Sequence, residues 1–224
     1  LKAALGSIPV AGAAATEILA CVLTPSLERR RHKWMERLGE QLSQLASKVD
    51  SLSWESLQDN EQFISICLQA TQAAIRTHAD EKLEALRNAV LNSALPGAPE
   101  EELQGMFLNY VEALTPWQLR ILAYLRDPSA WAQQHGIGSL VQGSMTSPER
   151  CLITAFPRLE GQDELVRFWI SDLHGKGLIT ADHIAGSMTA QGAMVPLTRD
   201  MGNRFVDFIS LPPQLRENQE PDTP

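Results

Sequence analysis

The chain has 224 residues, 44% hydrophobic and 21% charged, so it can bury a core and is not a disordered chain. Lys and Arg number 19 against 27 Asp and Glu, and the net charge of -8 works against a general nucleic-acid coat, which needs clustered cations. Cys21, Cys67 and Cys151 lie too far apart for a disulfide framework or a C-x-x-C zinc spacing. Two tyrosines and no long alternating β-branched runs argue against an all-β protein, and no uninterrupted apolar run reads as an ordinary membrane span.

Residues 1–27 carry only Lys2 and Glu17 as charges. They do not make a convincing signal peptide, because the basic region is one Lys and no Leu-rich stretch follows. The first residue is Leu, which fits a chain that begins inside a longer protein. The pattern predicts a short apolar segment, a turn at Pro9-Val10-Ala11-Gly12, and a helix over 13–23 that Thr24-Pro25 ends, because Pro cannot continue the backbone hydrogen bonding. Burial against other helices suits a small-residue helix. The alternative is insertion into a bilayer or a partner, to which Ala and Gly contribute little transfer free energy.

Glu28 then precedes the strongest basic cluster of the chain, Arg29, Arg30, Arg31, His32 and Lys33, followed by Trp34. The cluster opens a helix to about residue 49 whose apolar residues Trp34, Leu38, Leu42 and Leu45 form one stripe. A solvated face explains such a cluster. So does contact with an anionic surface, either lipid headgroups or a partner's acidic patch, with Arg29, Arg30, Arg31, Lys33 and Trp34 as the contact residues.

Asp59 or Asn60 caps the next predicted helix, with Phe63, Ile66, Cys67, Ala70, Ala74 and Ile75 on its apolar face. Another covers 81–91, burying Leu83, Leu86, Val90 and Leu91, and Leu95-Pro96-Gly97-Ala98-Pro99 stops it. Glu100, Glu101 and Glu102 begin a helix with Leu103, Met106, Phe107, Tyr110, Val111 and Leu114 as its stripe, their charges complementing the dipole. Thr115-Pro116 caps a further helix that turns Trp117, Ile121, Leu122 and Leu125 inward and ends at Asp127-Pro128.

Beyond it come a short helix at 129–134, a link containing Gly136, Gly138 and Gly143, a helix from Ser147-Pro148, and a strongly amphipathic helix over 163–173. His174 to Ile179 begins an extended piece, Val195-Pro196-Leu197 returns as the second strand of a hairpin, and 198–209 is a capped closing helix. This order resembles a winged helix-turn-helix domain, whose long helix would read the DNA major groove. Here that helix balances Asp163, Glu164 and Asp172 against Arg167, His174 and Lys176, so protein contact or dimerisation is the expected use. The helix over 115–126 is apolar on more than one face and is expected to pack between Tyr110 and Leu114 on one side and Phe168 and Trp169 on the other.

No nucleophile elbow, phosphate loop, H-E-x-x-H or dinucleotide fingerprint occurs. Asp182, His183 and Ser187 are of triad residue types, but nearness in sequence is not triad geometry. His78 reads as a cap or surface residue, since no second metal ligand is spaced to join it. The cysteines all sit on predicted apolar helix faces, which suits small core residues.

Across residues 9–125 the layout resembles bacterial proteins of the abortive-infection alpha group. The resemblance rests on Ile8-Pro9-Val10-Ala11-Gly12 with its Ala-rich continuation, the charged 28–38 helix, Leu86-Arg87-Asn88, Met106-Phe107-Leu108, Leu114-Thr115-Pro116 and Ile121-Leu122. It implies a bacterial cytosolic protein in phage defence, with no catalytic residue to carry over. The sequence therefore predicts a mainly α protein: an apolar segment (1–27), a multi-helix bundle (28–114), a winged-helix-like domain with a small β-hairpin (115–211) and a flexible acidic tail (212–224). The expected function is non-enzymatic, through self-association and protein contacts, with no catalytic, cofactor or metal site. An anionic membrane is the alternative partner, a winged-helix transcriptional regulator the third reading, and a nucleic acid is not expected. The expected place is the cytoplasm, or peripherally the inner membrane.

Overall fold

The first element departs from the sequence expectation. The computed structural model describes residues 9–137, 140–141 and 144–216, with side chains throughout these except 9–20 and 22. A single helix, α1 (Pro9–Ala46), runs through Gly12 and Pro25, so neither the turn expected at 9–12 nor the stop at 24–25 forms. Pro9 stands in the first helical turn, where a missing N–H costs nothing. Pro25 does withdraw the bond its nitrogen would give the Cys21 carbonyl, but both residues are exposed and water can serve that carbonyl. Residues 1–8 of the expected apolar segment lie outside the described residues.

The buried stripe of α1, among its described side chains, begins at Trp34, where Trp34, Leu38, Leu42 and Leu45 are all buried, as their spacing requires. Against this stripe lie α3 (Glu61–Arg76) and α4 (Asp80–Ser93), with the short α2 (Trp54–Gln58) leading in. Asn60 caps α3 by accepting the Phe63 N–H at 3.0 Å. Gly97, at φ 84°, makes the turn that a side chain would strain, and α5 (Glu101–Ala113) follows and packs on α3 and α4.

α6 (Pro116–Arg126) opens with a capping box between Thr115 and Gln118 and buries Leu119, Ile121, Leu122, Tyr124 and Leu125. Asp127 both ends α6 and caps α7 (Pro128–Gln134), its carboxylate accepting the Ala130 N–H at 2.9 Å. Next come β1 (Met145–Thr146), α8 (Pro148–Ala155) and α9 (Asp163–Gly175). The chain continues through β2 (Met188–Thr189), α10 (Ala190–Ala193), α11 (Asp200–Ile209) and α12 (Pro213–Arg216). About 70% of the described residues are helical. Gly138 and Gly143 of the predicted link lie outside the described residues.

The hairpin differs from expectation. β2 pairs antiparallel with β1, ahead of α8. The extended piece after α9 makes one bridge, Ile179 with Thr198, in which Thr180 N–H donates to the Leu197 carbonyl at 2.8 Å and Arg199 N–H to that of Leu178 at 2.9 Å. The return strand thus lies at 197–199, and the segment between contains β2 and α10. Thr198 does not cap α11: its hydroxyl donates to the Asn203 side chain, and Arg199 holds the cap position without a side-chain bond.

α11 joins the two halves. Phe205 lies against Phe107 and Tyr110 of α5, with ring centroids 5.4 and 5.7 Å apart. Two asparagines one turn apart on α4 take up carbonyls at the α11 C-terminus: Asn88 Nδ2 donates to Ile209 at 3.0 Å, and Asn92 Nδ2 to Phe208 and Ser210 at 2.8 Å each. Those carbonyls have no partner within their own helix. Gly202 brings α11 onto the Leu178 backbone, where a Cβ would overlap the Leu178 carbonyl oxygen. One continuous apolar core therefore runs from Trp34 to Leu215. Residues 212–216 are not tail: Pro212 and Leu215 are buried, α12 packs on α1, and Lys48 Nζ donates to the Gln214 carbonyl at 2.9 Å.

α6 is enclosed, with Trp117 stacked on Trp169 of α9 at 6.4 Å and edge-on to Phe156. Phe168, expected in that contact, instead points to solvent. Val166, Trp169, Ile170 and Leu173 complete one helical face, which places Phe168 on the other.

Candidate interaction surface

Residues 9–33 of α1 precede Trp34, the first buried position among its described side chains, a length of about 37 Å at the helical rise. On this outer part Arg29, Arg30, Arg31 and Lys33 are exposed. None of the four has an ion-pair partner among the described residues. Arg29 Nε donates to the Pro25 carbonyl at 3.2 Å, and Arg30 reaches the Ile75 carbonyl at 3.3 Å, near the negative end of α3. Trp34 is separate from this group: it is buried between α1 and α3, its Nε1 donating to Thr71 Oγ1 at 3.0 Å, so its indole serves the core.

Helical phase adds two residues that the sequence reading did not single out. Leu27 and Leu23 precede Trp34 by seven and eleven residues, two and three turns, and so continue the face of the core stripe outward. They are 42% and 51% exposed. The signal was present in the spacing, but a helix break placed at Pro25 hides it. The result is an exposed apolar strip flanked by Arg30 and Arg31.

A second exposed apolar group lies on α9. Phe168 is 66% and Leu165 41% exposed, beside Gly161, Gln162 and Glu164 at a shallow depression of about 480 Å³. Of the nearby carboxylates Glu164 lines this depression, and Glu160 and Asp163 are exposed just before and at the start of α9; none of the three has an ion-pair partner among the described residues. Asp172, further along, is tied to Lys176 Nζ at 2.5 Å and to Gln118 Nε2 at 2.7 Å. Burial pushes its carboxyl up, but these hydrogen bonds and the Lys176 charge outweigh that and hold it below its ordinary value.

The residues weighed for chemistry do not converge. Asp182 and His183 form an exposed pair at 2.5 Å, and the hydrogen bond from His183 holds the Asp182 carboxyl below its ordinary value. Ser187 instead lines a cleft of about 720 Å³ with Thr146, Arg150 and Glu160, and neither Asp182 nor His183 lines it. Ser147 and Thr154, also lining it, are used by the α8 backbone. Burial pushes the Cys67 and Cys151 thiols up, away from thiolate character. Cys21 is exposed on outer α1, not on a buried face as expected. His78 is exposed in the link between α3 and α4. No group of metal-ligating residues forms among the described residues. Compared with family models, curated proteins and solved structures, the chain shows no match to any of them.

Proposed function

We propose that this chain is a non-enzymatic helical interaction protein that self-associates through the outer part of α1. The observation that carries the reading is the continuation of the α1 core stripe into exposed Leu23 and Leu27, flanked by Arg30 and Arg31, with Arg29 and Lys33 exposed on the same stretch of helix. A helix presenting apolar residues two and three turns beyond its own core fits a groove or a partner helix. Sedimentation velocity at tens of micromolar tests it. The wild type associates, and Leu23→Glu with Leu27→Glu gives a monomer of unchanged melting temperature. A strictly monomeric wild type sinks the reading.

The C-terminal part is read as winged-helix-like, supported by the order α8, α9, the 178–180 and 197–199 pairing, and α11. The apolar, acidic outer face of α9 supports protein contact there over DNA reading. A second use of outer α1, peripheral binding to anionic lipid, is favoured by the same Leu and Arg arrangement. No described helix is long and apolar enough to cross a membrane. Anionic vesicles at low salt test that use, and absence of co-sedimentation removes it. The resemblance to the abortive-infection alpha group adds phage defence as a cellular setting, which the genes beside its own test.

A further inference from the structure

We infer that the outer part of α1 in one copy docks on the Phe168 face of α9 in a second copy, a head-to-tail contact that builds open chains or rings. The inference rests on the self-association reading and names both of its surfaces. Each surface has what the other lacks. Outer α1 offers Leu23 and Leu27 flanked by the cations Arg30 and Arg31, with Arg29 and Lys33 further round the helix, and α9 offers Leu165 and Phe168 with Glu164, and Glu160 and Asp163 exposed at the same end. Neither set of charges is used in an ion pair among the described residues. Within one chain the surfaces do not meet, because α1 packs chiefly on α3, α4 and α12, and α9 on α6.

Charge also selects the occupant. Glu164 in the depression, with Glu160 and Asp163 exposed at the same end of α9, repels an anionic partner and its own kind, which disfavours an α9–α9 dimer. The chain carries -8 overall, and its strongest basic cluster lies on the α1 arm. A basic amphipathic helix over an acidic apolar depression gains apolar burial and complementary charge together. Because the two patches differ, the contact is heterologous, and its symmetry is a ring if the rotation closes and a filament if it does not.

The experiment uses two full-length variants: Leu23→Glu with Leu27→Glu, which spoils the arm, and Phe168→Glu, which spoils the receiving face. All three substituted positions lie on exposed surface, so both variants keep the wild-type melting temperature, checked by circular dichroism. Each variant alone is monomeric in sedimentation velocity. Their equimolar mixture forms a one-to-one complex and nothing larger, since one intact arm then meets one intact face. The complex weakens about tenfold between low and high salt, as screening of exposed charge requires. Apart from a monomeric wild type, three results overturn the inference: a mixture that stays monomeric, a Phe168→Glu variant that associates like the wild type, or association unaffected by salt. The second, with an arm-defective variant that remains monomeric, points to pairing of α1 with itself and leaves the self-association reading standing. A monomeric wild type removes both, and if that monomer binds anionic vesicles through the arm, the occupant is lipid.

Discussion

Phe205→Ala tests whether the helical bundle and the C-terminal part share one core. Phe205 is fully buried on α11, between Phe107 and Tyr110 of α5. Truncating a buried Phe costs about 3–5 kcal/mol in lost transfer free energy and residual cavity. The two aromatic contacts place it toward the upper end of that range, since such pairs add about 0.5–1.5 kcal/mol. For a chain of this length each kcal/mol lowers the melting temperature by about 2–4 °C, so the expected drop is about 6–20 °C. Calorimetry on the full chain reads it, with near-ultraviolet circular dichroism as a second probe. Because the side chain stands between the halves, the drop occurs in one cooperative transition. Two separated transitions, with one half melting where it did before, refute the shared core and make the halves independent domains.

Gly202→Ala separates close packing from helix propensity. Propensity alone makes Ala better by about 1 kcal/mol, whereas overlap with the Leu178 carbonyl oxygen costs about 1–3 kcal/mol, so the variant melts lower, and a higher melting temperature contradicts the geometry. Asn92→Ala strips the amide from the Phe208 and Ser210 carbonyls and is expected to cost about 1–3 kcal/mol in urea titration, with an unchanged midpoint refuting the bridge. Asp172 has a lowered carboxyl, so its contribution is present above the unfolded value near pH 4 and is lost as pH falls through the folded value. The stability gap between wild type and Asp172→Asn therefore narrows below about pH 4, and a gap that widens there reverses the sign of the argument. Phe168→Ser, at a position 66% exposed, changes stability by less than about 0.5 kcal/mol, and a larger loss in thermal melting places the ring in the core after all.

Spacing alone determines much of this protein. The three-and-four periodicity of Trp34, Leu38, Leu42 and Leu45 fixes which face of α1 is buried, and Asn60 and Thr115 mark helix starts because their side chains can take up free N–H groups. These are local effects, decided within one or two turns. Pro25 shows where local rules stop: a proline removes one bond, and an exposed helix can leave that carbonyl to water, so the outer α1 strip appears only once the helix is seen to continue. The candidate surface needed more still. Whether Phe168 or Trp169 faces inward depends on how α9 is rotated against Trp117 of α6, and both are large aromatics at adjacent positions. The 178–180 strand finds 197–199 across a segment that carries its own helix, a pairing no local pattern specifies. Residues 212–216 read as tail because they are polar and Pro-rich, yet Leu215 finds a place in the core and α12 a seat on α1, a burial that depends on where a helix more than 160 positions earlier happens to lie. Local sequence sets helix ends and apolar faces, whereas which faces remain uncovered is a property of the assembled tertiary structure, because burial depends on the whole chain.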